Sequence, residues 1–108
     1  MKKMPYRART ASGDSFDIDF PLHDETRDAV RVGQLLSTVL EAIDKDIALG
    51  GDTSNGDVLQ AVAMAMAVRS RMIASPQAAV EVLSLQLLRT ALAAAEEGVH
   101  HAPQVGHA

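Results

Sequence analysis

The chain reads as a mainly α protein: a short N-terminal strand or β-hairpin followed by three helices, completed as an intersubunit helical bundle. Three observations carry that expectation. The composition is 47% hydrophobic but only 3% aromatic, so the core is built from Ala, Leu, Val, Ile and Met, residues that lose little freedom in a helix. Apolar residues recur with the 3.6-residue period in three successive segments. Only the first twenty or so residues alternate with the period of two that marks strands.

The 108 residues form one domain by size, divided into a basic arm with a strand or hairpin (1–22), a three-helix unit (23–98) and a disordered tail (99–108). In the first part, "YRARTASGDSFDIDF" holds two alternating runs around a five-residue turn rich in Ser, Gly and Asp. Tyr6, Ala8 and Thr10 share one face of the first run, and Phe16, Ile18 and Phe20 one face of the second. Pro21 closes it.

The first helix is expected from about residue 24 to 49, with Asp24, Glu25 and Asp28 at its positive end. Val32, Leu36, Val39, Leu40, Ile43 and Ile47 form its apolar stripe, and Gln34, Ser37, Thr38, Glu41 and Lys45 lie opposite. Gly50 and Gly51 end it. The second helix, about residues 57 to 74, is apolar on every side and is expected at the centre of the fold. Its Ala61, Ala63, Ala65 and Ala67 permit close approach, with Met64 and Met66 filling gaps. Ser75 as cap and Pro76 as first residue open a third helix that runs to about Glu97.

That third helix has two apolar faces. Val80, Leu83, Leu87, Ala91 and Ala94 form one, and Leu85, Leu88 and Leu92 lie nearly opposite. Three helices in one chain cover only one of these. The second face is therefore expected to meet another molecule, first of all a second copy, since most oligomers are two-fold homo-oligomers. The expected interface residues are Leu85, Leu88, Leu92, Met64, Met66 and Arg69. Arg69 either snorkels at a helix end or pairs with a carboxylate on the partner.

The chemistry-bearing motifs are few. "DKDIALGGDTSNGD" gathers acids and glycines, but a calcium loop starting at Asp52 would have Asp57 where it needs Gly and Ala63 where it needs Glu. No Lys follows Gly56, so it is no phosphate loop either, and it reads as a connector between helices. Glu97-x-x-His100 has metal-ligand spacing but stands at a helix end without inward carboxylates around it. His23 has no nucleophile partner. No catalytic constellation, metal site or cofactor is expected. With no cysteine there is no disulfide, and no run spans a bilayer, so the expected setting is cytoplasmic and soluble.

Lys2, Lys3, Arg7 and Arg9 make the N-terminus basic in a chain of net charge −4. A strand, a helix, the turn "TSNGD" and an apolar helix loosely resemble the ribbon-helix-helix repressors across roughly residues 16–73. The resemblance implies a dimer whose paired strands enter the DNA major groove. In "FDIDF" that arrangement would aim Asp17 and Asp19 at a phosphate-lined surface, which disfavours nucleic acid as a partner. A non-catalytic interaction or regulatory protein acting as a homo-oligomer is the first functional expectation. The DNA-binding regulator with a basic arm is the alternative.

Overall fold

The computed structural model describes residues 2–103. Its elements run β1 (Lys3–Arg9), β2 (Ser15–Pro21), α1 (Ala29–Gly50), α2 (Asn55–Arg71), α3 (Gln77–Glu96) and β3 (Val99–His101). Helix accounts for 58% of the described residues, so the chain is mainly α, as its aliphatic composition implies.

The N-terminus is a hairpin. β1 and β2 pair antiparallel with Met4 opposite Phe20, Tyr6 opposite Ile18 and Ala8 opposite Phe16, so these six residues share one face. The five-residue turn closes when Thr10 N–H donates to Asp14 O (2.9 Å) and Gly13 N–H to Thr10 O (3.0 Å). Gly13 sits there at φ 90°, a conformation that an L side chain resists.

The segment expected as the start of a disordered tail instead forms β3, antiparallel to β2, with Phe16 opposite His100 and Asp17 opposite Val99. Three residues without alternation carry no strand signal by themselves; the free edge of β2 and side-chain bonds to Asp14 and Asp17 organise them. Residues 104–108 of that tail lie outside the described residues.

α1 begins later than its acids imply. Asp28 is the N-cap, its Oδ1 accepting from Arg31 N–H at 3.0 Å, and Leu22 to Asp28 form the bend before it. At the other end Gly51, φ 86°, donates its N–H to Ile47 O at 3.1 Å, while Gly50 remains helical. Ser54 caps α2, its Oγ accepting from Asp57 N–H at 3.1 Å, so the Asp/Gly-rich stretch is indeed a connector. α3 starts one residue later than expected: Pro76 occupies the cap position, without a side-chain bond, and its carbonyl accepts from Ala79 and Val80.

The helices lie on the apolar face of the sheet, α1 over β1 and α3 over β2, with α2 leaning on α3. Tyr6 Oη and Ser37 Oγ are 2.9 Å apart, which ties β1 to α1 and turns Ser37 toward the sheet rather than to the polar side. Gly98 joins α3 to β3 where a Cβ would meet Ile18 Cγ1 at 2.8 Å and Asp17 O at 3.3 Å. Only a residue without a side chain lets the helix end so close to β2.

Val80 is the one buried hydrophobic residue among those described. α2, expected at the centre, is instead exposed along most of its length: Val58, Met66 and Ser70 are half-buried and the rest open. Within one chain α2 packs closely on α3 alone and is separated from α1 by a gap, so its other sides are left open.

Candidate interaction surface

Two apolar hollows follow from the splayed helices. α1 forms no close helix pair with either neighbour. Between the N-terminal half of α1 and α3 lies a groove of about 790 Å³. Its floor is Met4 and Phe20, its walls are Val32 and Leu36 on one side and Leu83 and Leu87 on the other, and His23, Asp24, Glu25 and Thr26 stand at its rim. A second gap of about 470 Å³ separates Val39, Ile43 and Ile47 of α1 from Val58, Ala61 and Val62 of α2.

α3 divides its faces as its period implies. Val80 is buried, Leu83, Ala91 and Ala94 are half-buried, and Leu87 opens into the groove. Leu85, Leu88 and Leu92 point outward, 46%, 44% and 61% exposed, which for leucine is a large apolar area left in water. On α2, Met64 is open and Met66 half-buried. Arg69 is exposed; its guanidinium donates to Met72 Sδ at 3.4 Å and meets no carboxylate among the described residues. α3 is also long and apolar enough by length and composition to cross a membrane.

The basic residues separate. Lys3, Arg7 and Arg9 alternate on the outer face of β1, the side away from the helices, and Lys2 precedes the strand. Arg7 is engaged, its Nε 2.7 Å from Asp17 Oδ1 and its Nη2 2.9 Å from Oδ2. Asp17 and Asp19 share that face, so it is mixed in charge rather than a cationic stripe. β2, the strand that would pair between chains in a ribbon-helix-helix dimer, has β1 on one edge and β3 on the other.

The two histidines of β3 face opposite sides of the sheet. His100 Nε2 lies 2.8 Å from Asp14 Oδ1 with its ring stacked on Phe16, centroids 4.8 Å apart. His101 Nε2 lies 2.9 Å from Asp17 Oδ2. Hydrogen bonds from Ser12 first, then His100, hold the Asp14 carboxyl below its ordinary value. Arg7, and after it His101, hold Asp17 at about 2. The two histidine contacts are not legible in the sequence, because their residues are more than eighty positions apart. His23 caps its own bend, Nδ1 accepting from Glu25 N–H at 3.1 Å. No group of three or more metal-ligating side chains converges among the described residues.

Comparison with protein families, with curated proteins and with solved structures finds no match to this chain. Its surfaces must carry the functional argument.

Proposed function

We propose that the chain is a small non-catalytic interaction or regulatory protein that works as a homo-oligomer, a dimer first, with α2 and the outer face of α3 covered in the assembly. The observation that carries this reading is the exposed area. A compact monomer of 11.5 kDa exposes about 5,800 Å² by the scaling of folded monomers, whereas this chain exposes 8820 Å². The excess of roughly 3,000 Å² per chain is the size of an obligate interface, not of a casual contact. The radius of gyration agrees: 15.7 Å, against about 13 Å for a compact chain of this length.

The chemistry of the open area supports protein over lipid as the cover. Glu81, Gln86 and Arg89 are spread along α3, and a charge carried into hydrocarbon is costly. Residues such as Met64 and Leu88 are of the kind found in helix-helix cores, and association would return the apolar α2 to the central place its composition demands.

Sedimentation equilibrium in detergent-free buffer tests this reading. The wild type should run as a multiple of 11.5 kDa, and a Leu88→Glu/Leu92→Glu variant should dissociate. A wild type that stays at the monomer mass, or one that leaves solution for neutral lipid vesicles, sinks it.

A further inference from the structure

We infer that the groove between α1 and α3 is the seat of helix α2 from a second copy, so that the subunits are joined by a reciprocal exchange of helices rather than by flat patches. The inference rests on the association proposed above and names the pieces that meet.

Shape comes first. An α-helix about 10 Å across that rises 5.4 Å per turn fills on the order of 400 Å³ per turn. The groove, about 790 Å³, therefore holds roughly two turns of a slender helix. α2 is slender, because alanine occupies positions 61, 63, 65 and 67. In its own chain it rests on α3 and leaves the groove open.

Charge gives the match its direction. Asp24 and Glu25 stand at the groove's rim. The last turn of α2 carries Arg69 and Arg71, immediately after its apolar stretch. A helix laid along Phe20, Leu36 and Leu87 would bring those guanidiniums to those carboxylates. Arg69 would then have the partner it lacks within its own chain.

Area favours an exchange over a flat contact. A standard interface removes about 800 Å² from each partner, and obligate ones about 1,000–2,500 Å² or more. The surplus of about 3,000 Å² per chain is far above the first and at the open upper end of the second, the size that elements inserted into the partner would bury. A second copy supplies groove and helix at once, and a two-fold axis uses both pairs in the same way.

The experiment is a charge exchange. Variant one carries Asp24→Lys and Glu25→Lys; variant two carries Arg69→Glu and Arg71→Glu. Each alone sets like charges against each other and should weaken association about tenfold or more at moderate salt. An equimolar mixture restores opposite charges in both grooves and should recover the wild-type mass and dissociation constant. Circular dichroism of each variant checks that its helices persist. Should both variants keep the wild-type dissociation constant, or should the mixture fail to recover it, the exchange is overturned while association stands. A wild type at the monomer mass removes the association and the exchange together.

Discussion

Asp17 and His101 meet at 2.9 Å on the outer face of the sheet, through the same carboxylate oxygen that Arg7 Nη2 reaches at 2.9 Å. One side chain on the central strand thus ties both neighbouring strands to it. The arrangement is exposed, so its energetic weight is modest. It still leaves a titration signature.

The carboxyl of Asp17 sits at about 2 when folded, against an ordinary value of 3.8. A depressed folded value means stabilisation that is fully present above the unfolded value and is lost as pH falls through the folded one. The urea midpoint should therefore drop between about pH 4 and pH 2 more steeply in the wild type than in Asp17→Asn. Asp14 adds to the same trend, so the variant should flatten the profile without abolishing its slope. Parallel curves for the two proteins would mean that the carboxylate does not hold the sheet.

Tyr6 and Ser37 provide the single hydroxyl bond between β1 and α1. A double-mutant cycle with Tyr6→Phe and Ser37→Ala should return a coupling of about 1 kcal/mol in denaturant unfolding. Additive single effects would show that the contact contributes nothing beyond packing.

Gly98→Ala should be costly out of proportion to one methyl group. The added carbon would stand 2.8 Å from Ile18 Cγ1 and 3.3 Å from a backbone oxygen of β2, and only the side chain can yield. Overpacking of this kind costs about 1–3 kcal/mol. Gly50→Ala is the control, because nothing lies within 4 Å of its added carbon and it sits inside a helix. That change should be neutral or stabilising by up to about 1 kcal/mol. Equal losses at the two sites would contradict the close approach.

With Val80 the one buried hydrophobic residue among those described, little stability is stored within one chain. If association supplies the rest, the melting temperature must climb with protein concentration, since protomers bound to each other cannot unfold alone. A scan at three concentrations a decade apart checks this. A concentration-independent midpoint would assign the stability to the isolated chain.

Local signals were readable in proportion to how local their causes are. The alternation of "FDIDF", the turn around Gly13 and the stop at Gly51 each depend on neighbours within five residues, and the structure uses all three. The start of α1 was harder, because Asp24, Glu25 and Asp28 all suit a helix N-terminus and only backbone geometry selects Asp28. β3 carried no signal, since the edge that organises it lies more than eighty residues away. Ser37 looked polar and outward until Tyr6 supplied a partner.

The apolar second face of α3 was visible from periodicity alone, and Leu85, Leu88 and Leu92 stand in the open. The place of α2 was not. Composition says how much surface must be covered, but not by which chain. The groove rim at Asp24 and Glu25 was hidden for a related reason: as a run of acids it looked like the beginning of α1, and only the bend before Ala29 turns it toward α3.

The pairing of β2 with β3 also sets an order of events. The hairpin needs only the first twenty-one residues, but its second edge is filled by residues 99–101. On the ribosome the hairpin must wait, half its edges open, while all three helices are made. Closing so long a loop costs entropy before any contact repays it, so this step should be slow beside helix formation. During that interval the open edge of β2 can pair with another nascent copy, and strand exchange is the error to which this topology is most prone.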